Sequence, residues 1–256
     1  MKKFFIAIVM VLVPMVASAS TGGVHLDSMD ADHTNQESLQ RGMKTFVNHC
    51  MGCHSANYQR FDRAANDIGL PVDLMAENLI FGEQKSGEQM TIAMPQDDAA
   101  KWFGTPPPDL TLETRLRGED WIYTYLRSFY TDSARPWGVN NVVFPDVGMP
   151  NVLEGLQGVQ KQNCSAEEMA HQGGESKIDP LTGLQIGTGC LTISEKGSQS
   201  VEEFDKTIYD LVNFMSYMGN PVKMESQAIG YKVLIFLAIF FVFAYALKKE
   251  YWKDVH

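Results

Sequence analysis

The chain has 256 residues, 45% of them hydrophobic and 20% charged, and it carries a formal net charge of −10 at pH 7. This length and composition suit one globular domain of ordinary size with attached segments. The acidic balance argues against a nucleic-acid partner, and it favours either a basic protein partner or a solvated surface with no further role.

The first predicted element is an export signal at residues 1–19. Two lysines open it, an apolar stretch follows at 4–16, and small residues favour cleavage after Ala19. A first transmembrane helix is the alternative interpretation. Pro14 and the shortness of the apolar run argue against it.

The second predicted element is a helix that begins near residue 34. Thr34 and Glu37 match a capping box, in which two side chains bond reciprocally to backbone N–H groups. Apolar residues then recur at helical spacing, at Leu39, Met43, Phe46, Val47 and Cys50. The pattern predicts a helix that leads directly into the sequence NHCMGCHSAN.

In that sequence Cys50 and Cys53 are followed at once by His54. A redox dithiol needs no adjacent histidine, and a zinc site needs two further ligands at short spacing, which the remaining cysteines do not supply. Cys-x-x-Cys-His is instead the attachment signature of c-type haem. We therefore predict one covalently attached haem c, with both sulfurs bound to its vinyl groups and His54 bound to its iron.

The iron of an electron-carrying haem c needs a sixth ligand, and methionine is the usual one because it stabilises the reduced iron. Met94 and Met149 both lie in predicted loops directly before a proline, which keeps the methionine extended. Gly148 would also let the backbone come close to the macrocycle, so local chemistry favours Met149 modestly. Core packing is the alternative interpretation for either methionine.

The rest of the body is predicted to be helical with long loops. One helix is expected over 118–129, with acidic residues in its first turn. A later helix begins at Ser200, has Glu203 as its capping-box partner and ends at Gly219. Gly42 would allow the first helix to cross this later helix closely. The predicted fold class is mainly α, a cytochrome c-like haem domain.

The last predicted element is a transmembrane helix at 228–247, an apolar run interrupted only by Lys232. A buried core helix would rarely be apolar on every face over this length. Three lysines and two aromatic residues follow it, so the tail at 248–256 is expected in the cytoplasm. The prediction is a membrane protein whose body, 20–227, is exported and held to the membrane by this helix.

Three blocks of this sequence resemble the cytochrome c1 family in its bacterial form, in the order that the family has them. They are RGMKTFVNHCMGCHS, PPDLTLETRLRGEDWIYTYL and VVFPDVGMPNVL, and the tail anchor follows. The resemblance implies that Met149 is the axial methionine. It also implies that Arg115 lies near a haem propionate, with Arg117 as a rival for this position.

Residues 159–200 match nothing in this family. Cys164 and Cys190 are the thiols left over in an exported protein, and we predict a disulfide between them. Such a bond would add about 3 kcal/mol by restricting the unfolded chain. Two free thiols are the alternative.

The resemblance implies a subunit of the cytochrome bc1 complex, quinol–cytochrome c reductase, with cytochrome b and a Rieske iron–sulfur protein as partners. The chain would accept one electron from the Rieske protein and pass it to a soluble c-type cytochrome, and it would not be catalytic alone. Two alternatives are kept. One is a haem c subunit of another respiratory oxidoreductase, and the other is a haem-based ligand sensor whose sixth ligand is displaceable.

Overall fold

The structure is a computed structural model that describes residues 24, 26–163 and 191–253. The predicted signal segment and the predicted Cys164–Cys190 disulfide lie outside the described residues. Helices in chain order are α1 (Gln36–His49), α2 (Phe61–Asp67), α3 (Val72–Leu79), α4 (Gln96–Phe103), α5 (Glu113–Arg117), α6 (Glu119–Arg127), α7 (Glu154–Gln157), α8 (Val201–Gly219) and α9 (Lys223–Tyr251).

Short antiparallel strand pairs connect these helices. They are β1 (Ala56–Arg60) with β2 (Gln89–Met90), β3 (Phe129–Thr131) with β4 (Val139–Asn141), and β5 (Gly158–Gln162) with β6 (Leu191–Lys196). Helices account for most of the regular structure, so the predicted mainly α fold class is confirmed.

Helices α1 and α8 form the centre of the fold. Both helices begin at or within one residue of the position that the sequence predicts. The Ser200–Glu203 capping box opens α8 as expected. Helix α1 begins one residue later than Thr34 predicts, because the side chain of Asn35 accepts a hydrogen bond from the Ser38 N–H at 3.1 Å. The Thr34 hydroxyl donates instead to Asp32 Oδ1 at 2.6 Å.

The crossing of α1 and α8 depends on Gly42. A Cβ atom at this position would clash with the backbone oxygen of Asp210 and with Cβ of Phe214, so only glycine permits this approach. Beside it, Arg41 Nε lies 2.6 Å from Oδ2 of the buried Asp210. The close crossing predicted from the sequence is confirmed.

Large apolar side chains fill the space between these two helices and their neighbours. Fully buried members from α1 and α8 are Leu39, Met43, Phe46, Ile208, Leu211 and Phe214. Each contributes about 1.5–3 kcal/mol by leaving water. These residues and Cys50 belong to one cluster, which we call the main cluster.

Helix α6 ends two residues earlier than predicted, because Phe129 belongs to strand β3 and pairs with Asn141 of β4. Asn141 Nδ2 donates to the Tyr125 carbonyl at 2.8 Å, and the Ser128 N–H donates to the same oxygen at 3.2 Å. These two bonds satisfy the Tyr125 carbonyl, which would accept a backbone N–H from the next turn if the helix continued.

Arg127, the last residue of α6, fixes this helix to the core. Its Nη1 lies 2.6 Å from Asp27 Oδ2, and its Nε lies 2.8 Å from Asp205 Oδ1 of α8. The guanidinium group is almost wholly buried, and buried pairs of this kind are costly to break because one charge is left unpaired. The helix that carries Trp121 and Tyr125 is therefore held rigidly.

Helix α9 is long and apolar enough to cross a membrane between Glu225 and Tyr251. None of this span is buried within the chain. Its 29 residues extend for about 44 Å, which exceeds a hydrocarbon core of about 30 Å. The predicted single apolar C-terminal helix is confirmed, and it begins earlier and ends later than 228–247.

Candidate haem-binding site

The two cysteines and the histidine of the haem motif lie in one turn that extends α1. The Cys50 N–H donates to the Phe46 carbonyl at 2.9 Å, which continues the helical pattern by one residue. The N–H groups of Cys53 and His54 both donate to the Cys50 carbonyl, at 3.1 and 2.9 Å. The turn therefore gathers both thiols and the imidazole into one small region.

The Cys50 thiol lies in a dry environment. Its side chain is buried in the main cluster, and burial, with a smaller effect of Cys53, raises the pKa of Cys50 to about 12. A redox-active Cys-x-x-Cys needs a thiolate near neutral pH, which this environment opposes. Within the described residues, no group of three or more His, Cys, Asp or Glu side chains is placed to hold a metal ion. The burial of Cys50 therefore argues against a redox dithiol.

The His54 imidazole is buried and held in one tautomer. Nδ1 lies 2.7 Å from the carbonyl oxygen of Pro108, and because a carbonyl only accepts, Nδ1 carries the proton. The lone pair is then on Nε2, the atom that a metal would use. Burial lowers the pKa of His54, which favours the neutral ring that ligation requires. Iron-binding histidines are commonly oriented by such a backbone acceptor.

The segment that carries Pro108 is itself tied to the chain after the motif. The Leu110 N–H donates to the Ser55 carbonyl at 2.9 Å, and the Asn57 N–H donates to Asp109 Oδ2 at 2.7 Å. These bonds fix the Pro-Pro-Asp-Leu sequence beside the start of β1. They explain why two blocks more than fifty residues apart belong to one site.

Met149 lies in the loop between β4 and α7, half-buried against a small cluster formed by Phe129, Val139 and Val147. Its sulfur is 3.4 Å from the hydroxyl oxygen of Tyr125. Met94 is also half-buried, in the loop before α4, but belongs to neither apolar cluster of the described residues.

Tyr125 connects the two halves of the site. Its ring packs against the main cluster, which contains Cys50, and also against the small cluster beside Met149. The periodicity of α6 predicts that Tyr125 faces inward, but the partner of its hydroxyl depends on a loop 24 residues away. Sequence reasoning therefore missed this residue as a member of the site.

The two arginines of α5 lie in different surroundings. The Arg117 guanidinium sits 4.4 Å from the ring centre of Trp121 and 5.6 Å from that of Phe144. Trp121 in turn stacks on Tyr125, with ring centres 5.0 Å apart. A continuous series of contacts thus runs from Arg117 to Met149.

Arg115 instead lines a recess of about 350 Å³ where α5 and α6 meet the junction of α8 and α9. Glu119, Ser216 and Lys223 are among the other lining residues. The described contacts therefore favour Arg117 over Arg115 as the arginine on the Met149 side of the molecule.

The residues of the site fit a haem c. Two thiols and a neutral imidazole with a defined lone pair occupy one turn, and a thioether lies in a second segment that Tyr125 joins to the same core. This donor set is the one used by c-type cytochromes with histidine and methionine ligands.

Comparisons with known proteins identify the family of the chain. A model of the cytochrome C1 family matches residues 28–172. The chain is 48% identical to cytochrome c1 of Allochromatium vinosum over the full length of both. It is 41% identical to the ammonia monooxygenase gamma subunit of Nitrosomonas europaea over 98% of each chain. It is 26% identical to cytochrome c1 of Rhodospirillum rubrum over 99% of this chain and 97% of that one. The chain belongs to the cytochrome c1 family.

Proposed function

We propose that this chain is the haem-bearing electron-transfer subunit of a quinol–cytochrome c reductase, the cytochrome bc1 complex. The observation that carries the proposal is the His54–Pro108 hydrogen bond within a Cys-x-x-Cys-His turn, in a chain 48% identical to a cytochrome c1 along its whole length. When bound, one haem c supplies a one-electron ferric–ferrous couple.

Each site residue has a proposed role. Cys50 and Cys53 form the two thioether bonds, and His54 presents Nε2 as one axial ligand. Met149 provides the other axial ligand, a thioether that favours the reduced iron. The family resemblance assigns Arg115 to a haem propionate, whereas the contacts through Trp121 support Arg117 in that role.

The proposed topology has residues 1–19 removed as a signal peptide and 20–227 in the periplasm. The segment 228–247, within α9, crosses the inner membrane, and 248–256 lies in the cytoplasm. Lys248 and Lys249 at the end of α9 support this orientation, because positive flanks remain on the cytoplasmic side. A Cys164–Cys190 disulfide would close the segment between β5 and β6 in the oxidising periplasm.

The proposed partners follow from the family. The chain would accept electrons from a Rieske iron–sulfur protein, beside cytochrome b, and pass them to a soluble c-type cytochrome. The net charge of −10 supports electrostatic steering of a basic acceptor, an effect on the association rate that salt weakens.

Gentle detergent purification of the tagged chain tests the assembly. We expect cytochrome b and an iron–sulfur protein to co-purify with it, together with quinol–cytochrome c reductase activity. A second candidate is a haem c subunit of another oxidoreductase, which the 41% identity to an ammonia monooxygenase gamma subunit supports. Recovery of monooxygenase subunits without cytochrome b would favour this second candidate and contradict the first.

A further inference from the structure

The hydroxyl of Tyr125 contacts the sulfur of Met149. It lies 3.4 Å from Met149 Sδ, within the range of hydrogen bonds to sulfur. A thioether only accepts, so Tyr125 is the donor. A tyrosine hydroxyl titrates only at about pH 10, so this group carries its proton at physiological pH and can donate it.

The ring of Tyr125 is held in place without help from this hydroxyl. It stacks on Trp121 at an interplanar angle of 12°, and its centre lies 5.1 Å from that of Phe129 in an edge-to-face contact. Its carbonyl is bound by Asn141. The hydroxyl is therefore aimed at Met149 by a rigid scaffold, and its removal would leave the packing of the ring intact.

We propose that Tyr125 is a positioning residue that raises the reduction potential of the haem by donating a hydrogen bond to the sulfur of Met149. The inference rests on the proposed function, because it requires Met149 to be an axial ligand. Tyrosine remains neutral and is neither oxidised nor deprotonated in this role.

The physical reason lies in the two lone pairs of the thioether sulfur. If one lone pair binds the iron, the other can accept the Tyr125 hydrogen. The donor withdraws electron density from the sulfur, which weakens its support of the ferric state. Its partially positive hydrogen also disfavours the more highly charged form of the iron. Both effects favour the ferrous state, in the way that hydrogen bonds to other ligands tune a metal.

A side-chain hydrogen bond also restricts Met149 itself. Methionine has three rotatable bonds and adapts easily to irregular space. A fixed donor on one side of the sulfur selects conformations in which the other lone pair is available. This would favour one well-defined conformation of the Met149 ligand over exchange between two conformations.

The test is a redox titration of the haem-loaded full chain carrying Tyr125→Phe, which removes the hydroxyl and keeps the ring. Against a fixed reference couple, the equilibrium constant for reduction should fall by about threefold, as expected for one hydrogen bond of ordinary strength. The sulfur-to-iron charge-transfer band of the ferric protein should persist at a shifted energy.

Tyr123→Phe is the matched control. Tyr123 lies on the same helix, its ring packs under the Arg127 guanidinium at 4.6 Å, and its hydroxyl has no hydrogen bond to any described residue. This variant should titrate like the unaltered protein. An unchanged or raised potential in Tyr125→Phe would overturn the inference while leaving the proposed function intact, provided that the unaltered protein shows the charge-transfer band. Lack of that band in the unaltered protein would overturn the inference and the proposed Met149 ligation, whereas failure of cytochrome b to co-purify would count against the proposed function.

Discussion

Nδ1 of His54 lies 2.7 Å from the carbonyl oxygen of Pro108, and this bond joins the Cys-x-x-Cys-His turn to the Pro-Pro-Asp-Leu segment. It fixes the tautomer of the ring and leaves the lone pair on Nε2, the atom that we propose as the iron ligand. The bond uses a backbone acceptor, so substitution of the Pro108 side chain would not remove it directly. The orientation of the imidazole therefore depends on the position of the Pro108 backbone. Hydrogen bonds that involve Ser55, Asn57 and Asp109 hold that backbone in place.

Replacement of Met149 by leucine should produce a low-potential haem iron that binds carbon monoxide readily in the reduced state. The physical reason is that, as the proposed sixth ligand, the Met149 thioether would favour ferrous iron and would block other ligands. Met94→Leu is the control and should keep the unaltered potential. The measurement is a redox titration combined with the optical spectrum under carbon monoxide.

The same spectrum separates an electron carrier from a ligand sensor. If Met149 is the sixth ligand as proposed, the reduced unaltered chain should bind carbon monoxide poorly. Ready binding by the unaltered chain would support the sensor alternative. If the Met94→Leu and Met149→Leu variants have the same reduction potential and the same carbon monoxide binding, Met149 is not the sixth ligand.

The two arginines of α5 can be separated by paired substitutions. Arg117→Gln removes a positive charge that contacts Trp121 on the Met149 side, so the equilibrium constant for haem reduction should fall by about three- to tenfold. Arg115→Gln removes a charge from the recess near Lys223 and should change this constant little. Redox titrations at two salt concentrations measure the equilibrium constant for haem reduction in both variants. A larger effect of Arg115→Gln than of Arg117→Gln would support Arg115 as the propionate partner and contradict Arg117 in that role.

Gly42→Ala should destabilise the protein by about 1–3 kcal/mol or more, because its methyl group clashes with the backbone of Asp210 and with Phe214 where α1 crosses α8. Denaturant unfolding of the haem-loaded chain, followed by haem absorbance, measures the free energy of unfolding. Gly155→Ala is the control, since a Cβ atom there meets nothing within 4 Å. Equal stability of the two variants would show that the helices do not cross as closely as described.

Acidification should weaken the fold through His33. Burial lowers the pKa of His33, with Lys223 adding to this effect and Glu119 and Asp32 opposing it. A histidine with a depressed folded-state pKa stabilises the fold above its ordinary pKa, and this contribution is lost as the pH falls through the folded value. His33→Gln retains a side-chain group that can bond to Ser216, the residue that His33 Nε2 contacts at 2.9 Å. Its free energy of unfolding should fall less between pH 7.5 and pH 5 than that of the unaltered chain, and an equal fall in both proteins would exclude His33 as the cause.

Local sequence signals predicted the parts of the fold that depend on neighbouring residues. The Ser200–Glu203 capping box and the Cys-x-x-Cys-His turn each need only a few residues, so both were readable from the sequence. The helical pattern over 118–129 includes Phe129, but this residue forms a strand because it pairs with Asn141, a tertiary contact that local spacing does not reveal.

The finer geometry of the site depends on contacts between distant segments. The Tyr125–Met149 hydrogen bond and the stacking of Arg117 on Trp121 both require the folded arrangement of α5, α6 and the Met149 loop. Apolar periodicity places Tyr125 on an inward face but does not specify what its hydroxyl reaches. The resemblance to a family implies a propionate partner at Arg115, and this stays a prediction, with Arg117 as the rival that contacts Trp121.

The mass of the purified mature chain, measured after denaturation and with its visible spectrum recorded, tests the central claim most directly. The account predicts a coloured polypeptide that begins after Ala19 and is heavier than its amino acids by one haem. A Cys50→Ala and Cys53→Ala double variant should lose this added mass. A colourless chain whose mass equals that of its amino acids alone would contradict the account.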